Sequence, residues 1–355
     1  MAMNLPSTHP LLHAGTASAP LIQAYRGKRP TRQPVWFMRQ AGRSLPEYRS
    51  LRATSTMLDA CLTPNLAAEI TMQPVRRHKV DAAIFFSDIV LPLKVAGIDV
   101  DIQPGVGPVM GRAIRTADDV AALPELEPEA LAPIAEAIGI CVAELGATPL
   151  IGFAGAPFTV ASYLVEGRPS RDHLVTRALM HGDPQTFAKL LAWVARTTTT
   201  FLNVQIEAGA SAVQLFDSWA GMLNPDDYRR HVMEHSASVF AAVAHYGVPR
   251  VHFGTKTSEI LVDLLACGAD VIGVDDRISL ATAIERLGAD VVVQGNLDPA
   301  RLFTDWETLA SHIDEVRDAG KRAKAHVMNL GHGVPPDTDP EVLTRVVAHI
   351  HGESV

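Results

Sequence analysis

An α/β architecture of the (β/α)8 type is the fold this chain predicts, and three observations predict it. Eight short runs rich in Val, Ile or Phe recur along the 355 residues: 34–38, 82–86, 149–153, 212–216, 249–253, 270–274, 290–294 and 325–329. Segments with helical periodicity separate most of them, the pattern of a parallel sheet covered by helices. Just past the runs stand mostly polar residues or glycine: Arg39 to Arg43, Ser87-Asp88, Ala154-Gly155-Ala156-Pro157, Asp217-Ser218, Gly254-Thr255-Lys256, Asp275-Asp276, Gly295-Asn296 and Gly331-His332. In a closed barrel all eight strand ends meet on one face, and that face, at the C-terminal ends of the strands, carries the active site. An open doubly wound sheet would show a glycine-rich turn after an early strand, and none is present.

In chain order, residues 1–24 (MAMNLPSTHPLLHAGTASAPLIQA) have no basic head followed by a long apolar core, and read as a flexible tail rather than a secretory signal. Residues 25–355 read as one catalytic domain, because glycine and proline are scattered and nothing resembles a linker. The run 34–38 opens PVWFMRQAGRSLPEYR, where Arg39 and Arg43 flank Gly42. Arginine offers a planar fork of donors suited to carboxylate or phosphate, and glycine lets the backbone bend close to the bound group. Between Asp88 and Pro149 lies a long connection with short β-like pieces at GIDVDI and GPVMGRAI, then a helix from about Pro128 to Gly146; loops of this size in a barrel form lids or walls of the site. From Phe158 to Gly209, TVASYLVEG leads into two helices broken at His181-Gly182-Asp183-Pro184, with Asp183 capping the second. Asn224-Pro225-Asp226-Asp227 opens a helix toward His245, and Ser279 caps another.

The formal charge of −8 argues against general nucleic-acid binding, and no run reaches the length of a membrane span. Against that acidity, residues 26–52 carry Arg26, Lys28, Arg29, Arg32, Arg39, Arg43, Arg49 and Arg52 with the single acid Glu47, so the basic patch is local. Cys61, Cys141 and Cys267 are widely spaced with no CxxC pair, which suits a reducing, cytoplasmic compartment and no metal knuckle.

Other motifs carry less. GVGPVMG (105–111) has the wrong spacing for a phosphate loop, and Pro108 spoils the turn into a helix. HVMEH (231–235) matches the HxxEH zinc signature, but the pair is expected mid-helix in the outer ring without an obvious third ligand, so surface histidines are the expectation. Asp88 is more informative. A carboxylate emerging from the buried run AAIFFS costs several kcal/mol unless donors or a cation meet it; either it pairs with Arg39 or Arg43 structurally, or it waits for a ligand with N–H donors. His332 stands between Gly331 and Gly333, which allow a ligand close approach.

FMRQAGR with LPEYR after it, FFSDI, GFAGAPFTVASYLVEG, QLFDSWAG, VHFGTK, GNLDP and NLGHG with its trailing DTDP together closely resemble the uroporphyrinogen decarboxylase family, from about Tyr25 to Ile350. The resemblance implies a (β/α)8 TIM barrel, usually a homodimer, acting in haem and related tetrapyrrole synthesis without metal, flavin or other cofactor. It implies that Arg39, Gln40, Ala41, Gly42 and Arg43 form a substrate-binding turn and that Asp88 is the central catalytic carboxylate. Tyr163, Phe216, Ser218 and His332 would complete the contacts to uroporphyrinogen. Phe158 stands where some relatives carry Trp, and Asp217 replaces a frequent Glu.

The implied reaction trims the four acetate arms of uroporphyrinogen III to methyls, giving coproporphyrinogen III, with the pyrrole itself as electron sink. Arg39 and His332 both stand as catalytic candidates. Arg39 is a weak acid at neutral pH, His332 has the more suitable intrinsic pKa, and Tyr163 could orient a carboxylate, so the proton donor is open at this point. Two rivals come from other classes: a cobamide-type methyltransferase of the same superfamily, which needs zinc on an HxC pair where this chain reads His252-Phe253-Gly254 with Cys267 elsewhere, and a non-catalytic tetrapyrrole carrier.

Overall fold

Seven of the eight runs pair into one curled parallel sheet in the computed structural model, which describes residues 4–13, 15–52 and 55–353. Its strands are β1 (Ala83–Ile84), β4 (Leu150–Gly155), β5 (Ala212–Asp217), β6 (Arg250–Gly254), β7 (Val271–Gly273), β8 (Val292–Gln294) and β9 (Ala325–Val327), adjacent in that order. Every ladder is parallel, with register such as Phe153 opposite Gln214 and Leu215 opposite His252. The strands are almost wholly buried because helices cover the outer face, as parallel sheets require. Between β1 and β4, β2 (Val100–Gln103) and β3 (Gly107–Met110) form an antiparallel hairpin where β-like pieces were expected.

The first run makes no strand. Its extended backbone touches both edges of the sheet: Val35 bridges Met328 beyond β9, Met328 N–H donates to Pro34 O (2.9 Å), and Asp81 N–H, just before β1, donates to Val35 O (2.8 Å). A regular ladder is prevented locally. Pro34 has no N–H, and Val35 N–H is taken by the Asp81 side chain (2.8 Å to Oδ2) instead of a backbone carbonyl. Asp81 is the fastener here. Its carboxylate also pairs with Arg32 and accepts from His351 Nε2 at 2.8 Å, with both Asp81 and His351 buried.

The expected tail over 1–24 is corrected for much of its length. Residues Pro10–His13 and Pro20–Tyr25 are helical, with Leu21, Ile22, Ala24 and Tyr25 buried; proline at the start and an apolar stripe make the second a proper short helix. Residues 1–3 and 14 lie outside the described set. Tyr25 reaches the sheet interior, where Trp36 Nε1 donates to its hydroxyl (3.1 Å) and Gln294 Nε2 donates to Gln214 Oε1 (3.0 Å), satisfying polar groups that burial would otherwise penalise.

The helical connections follow their punctuation. Asp183 accepts from Thr186 N–H and opens Pro184–Glu207 after the shorter Leu174–Gly182; Ser279 accepts from Thr282 N–H and opens Leu280–Leu287. Asn224 caps Pro225–His231, but the helix expected to continue to His245 breaks at Val232 and restarts as Met233–Val243. His231 and His235 therefore lie on different helices, and the HxxEH pair loses the shared face its spacing suggested. No helix among the described residues is long and apolar enough to cross a membrane.

Candidate active site

The strand ends open into a cavity of about 1080 Å³ on one face of the sheet. Asp88 lies on its wall four residues past β1, where the chain turns: Leu91 N–H donates to Asp88 O (3.1 Å) and Val90 N–H to Asp88 Oδ1 (2.9 Å). That amide is the only hydrogen-bond partner of the Asp88 carboxylate among the described residues, and neither Arg39 nor Arg43 comes within ion-pair distance. The structural ion pair weighed from sequence is thus absent there. Desolvation raises the Asp88 pKa above the ordinary carboxylate value, opposed by the Val90 amide and then by the field of Arg39. The carboxylate sits prepared for donors it does not yet have.

Opposite runs the arginine turn. Arg39 adopts the left-handed backbone (φ 59°), uncommon for a side chain of this size, and Gly42 lies so close beneath it that a Cβ there would meet Arg39 O at 2.9 Å. The Arg39 stem crosses Gly333: a Cβ on Gly333 would stand 2.5 Å from Arg39 Cδ, so the glycine after His332 makes room for the guanidinium. His332 lines the same cavity and is exposed. Its imidazole pKa is lowered, by desolvation first and then by Arg39, with Asp276, the Gly333 backbone and Asp275 pulling the other way.

Tyr163, from helix Pro157–Glu166, lines the same cavity and stacks on Trp219 with ring centroids 4.0 Å apart. Burial, with the Asp88 charge added, raises its phenol pKa, so it remains a hydroxyl donor at neutral pH. Phe216, at the end of β5, meets Phe153 and Phe253 edge to face, 5.4 and 5.9 Å between centroids, giving an apolar wall beside Ser218. The hairpin contributes Gln103 to Pro108 as an opposite wall, which places the discounted glycine-rich segment at the cavity without a phosphate-loop geometry.

Arg39, Ala41, Gly42, Arg43, Asp88, Tyr163, Phe216, Ser218 and His332 thus share one cavity, as expected from sequence. Gln40 does not. Fully buried, it accepts from Phe37 N–H (3.0 Å) and donates to Ala82 O (3.0 Å), bracing the turn from behind. Sequence adjacency placed it in the site; alternation along the turn points its side chain away.

The structure adds residues that sequence reasoning missed. Arg52, Lys256 and Arg277 bring cations to the lining beside Arg39 and Arg43, while Asp275, Asp276 and Asp298 bring anions. Lys256 (φ 60°) is held by its N–H donating to Asp275 Oδ2 at 2.5 Å. Ser87, adjacent to Asp88, lines the cavity with its buried hydroxyl unpartnered among the described residues. Ser87, Lys256, Asp275 and Asp276 stood at strand ends and Arg52 in the basic patch, but none of these signals by itself gave them a place in the site. Cys267 lies outside the His252-Phe253-Gly254 segment, as read from sequence, yet it follows helix Leu261–Ala266 to a place beside His252, whose imidazole pKa is raised to about 9 against desolvation, by Asp217 first and then by Cys267. Asp217 Oδ2 lies 3.7 Å from His252 Nε2, but the ligand atoms of Asp217, His252 and Cys267 are not all gathered at metal-site spacing among the described residues.

The family model described as uroporphyrinogen decarboxylase matches residues 16–353. A uroporphyrinogen decarboxylase of Arthrobacter sp. (strain FB24) is 62% identical over 339 residues, covering 96% of this chain and 98% of that protein. One from Streptomyces avermitilis is 58% identical, covering 96% of each chain. Among solved structures, a methyltransferase from Methanosarcina mazei superposes with a TM-score of 0.78 over 93% of this chain and 97% of its own; at 19% identity, this shows a shared fold.

Proposed function

The chain belongs to the uroporphyrinogen decarboxylase family, and from that membership we propose that it is a carboxy-lyase converting uroporphyrinogen III to coproporphyrinogen III by removing four acetate carboxyls in turn. The observation that carries the reading is Asp88, a carboxylate in the cavity wall whose described partner is one backbone amide, faced by Arg39, Tyr163 and His332.

Breaking the acetate C–C bond needs an electron sink, and protonation of the adjacent pyrrole carbon supplies one. The inward pyrrole N–H groups donate to Asp88, and its charge lowers the energy of the pyrrole cation, an effect typically worth about 3 kcal/mol per preorganised group. The bond pair of the departing carboxylate then neutralises the ring, CO2 leaves, protonation of the exocyclic enamine carbon forms the methyl, and the proton first added to the ring carbon departs to restore the aromatic pyrrole, so that one proton is consumed per CO2 released. Rotation of the macrocycle presents the next arm. Arg39 and Arg43 hold carboxylate arms as forks, His332 closes the mouth over the reacting arm, Tyr163 donates to a carboxylate oxygen, and Phe216 packs against the ring. Arg52, Lys256 and Arg277 extend the cationic rim that draws a polyanion into an acidic protein.

The same reading includes a closed eight-fold barrel with 34–38 as its eighth stave, supported by the contacts of Val35 to Met328 on one side and Asp81 on the other. It also includes one catalytic domain over 25–355, action without a cofactor, and a cytoplasmic homodimer, which sedimentation of the purified chain tests. Anaerobic incubation with uroporphyrinogen III, then chromatography of the oxidised porphyrins, tests the activity. A ladder of products losing carboxyls one by one supports it. Recovered, unconverted substrate bound to folded protein points to a carrier and overturns it.

A further inference from the structure

His181, Asp227 and His231 each offer one ligand atom, and the three atoms lie within 4.8 Å of one another. None of them lines the catalytic cavity. His181 is the penultimate residue of helix Leu174–Gly182, and Asp227 and His231 occupy the first and last turns of helix Pro225–His231, on one face and four residues apart. The separation of His181 Nε2 from Asp227 Oδ2 is 3.5 Å. Ligand bonds of about 2.1 Å in a tetrahedral site place neighbouring ligand atoms about 3.4 Å apart, so this edge of the triangle already has metal-site length. The half-exposed His181 ring can turn to shorten the wider edges. The Asp227 carboxylate is oriented beforehand: its Oδ2 accepts from Asn224 Nδ2 at 2.7 Å, the kind of outer hydrogen bond that fixes a ligating carboxylate.

We propose that His181, Asp227 and His231 form a binding site for Zn2+ or a similar first-row divalent ion, two imidazoles and a carboxylate with water in the fourth position. The site differs from the HxxEH reading, which paired His231 with His235. The break at Val232 separates those two and turns His231 toward His181 instead. Its role is that of a staple. Helix Leu174–Gly182 begins after His173, whose ring stacks on Trp219 at 4.2 Å; Trp219 in turn stacks on Tyr163 and lies just before helix Pro225–His231. An ion joining the two helices ties together the outer supports of the Tyr163 wall without entering the cavity.

The test uses untagged full-length protein, titrated calorimetrically with Zn2+ and spectroscopically with Co2+, and needs no substrate. One equivalent of Zn2+ binds, raises Tm, and gives a tetrahedral Co2+ absorption band; His181→Ala and His231→Ala each weaken binding at least 10-fold, while His235→Ala leaves it unchanged. Both alanine sites are at least partly solvent-exposed, and circular dichroism verifies that the variants remain folded. Binding that survives in the His181→Ala/His231→Ala double variant, or that His235→Ala abolishes, overturns the proposal. So does wild-type protein that takes up no Zn2+ at millimolar concentration.

Discussion

Replacing Asp88 by asparagine separates catalysis from stability in a way few other changes in this molecule do. The side-chain amide oxygen that Asp88→Asn introduces retains the acceptor for Val90 N–H, so the turn after β1 keeps its bond, and only the charge is removed. Loss of an electrostatic contribution of about 3 kcal/mol to the transition state corresponds to about a 10²-fold fall in turnover. Stability moves the other way or not at all. The folded-state pKa of Asp88 is raised above its unfolded value, so its favourable contribution is complete below the ordinary value of about 3.9 and is lost as pH rises through the folded value. At pH 7 the desolvated carboxylate is a cost that the neutral amide escapes, and Tm of Asp88→Asn is equal to or above that of the parent. The assay is anaerobic turnover with porphyrin chromatography, run beside thermal unfolding. Near-parental turnover in a folded variant refutes the electrostatic role; a large drop in Tm would show that the charge is structural.

Three further outcomes follow from the same geometry. The acid limb of kcat/KM lies above the ordinary carboxylate range, because activity is lost as Asp88 protonates and its pKa is raised; a pH profile of the parent enzyme measures it, and an acid limb at or below the ordinary range contradicts it. Gly333→Ala pushes the Arg39 stem aside and lowers kcat/KM by up to about 10²-fold, and the urea midpoint falls as well because the clash reaches Arg39 Cδ, Cγ and Cβ rather than the tip of the side chain. Asp81→Ala leaves His351, Arg32 and Val35 N–H without their shared acceptor and destabilises by about 3 kcal/mol, read as a lower urea midpoint; an unchanged midpoint would mean that the segment 34–38 is held by its apolar contacts alone.

Much of the site was legible because barrel chemistry concentrates where runs of Val, Ile and Phe end, and those ends can be read directly. Asp88 could be singled out that way, whereas Ser218 and His332, though at strand ends, were assigned to the site by the family resemblance. Arg39 and Arg43 were legible as an anion-gripping pair, but not the left-handed backbone of Arg39 or its dependence on Gly333, some 290 residues away, since neither leaves a local pattern. The Gln40 side chain turns away from the cavity because its direction in an irregular turn depends on what lies behind it, here Phe37 and Ala82, which no local pattern shows. The first run looked like a strand by composition. Its one-bridge pairing arises from Pro34 and from Asp81, whose side chain intercepts the Val35 amide. The helix Pro20–Tyr25 carried proline at its start and an apolar face, signals outweighed by the surrounding Ser, Thr and Ala.

The clasp of His351 on Asp81 has a consequence for how the molecule comes into being. The arginine turn is seated on a segment whose neighbours are Met328, from the last strand run, and, through Asp81, the final turn of helix Pro340–His351. During synthesis Arg39 and Arg43 emerge early, yet the seat that aims them is completed only when the chain has been made as far as His351. A chain interrupted between His332 and His351 carries every proposed catalytic group and lacks the frame that aims them.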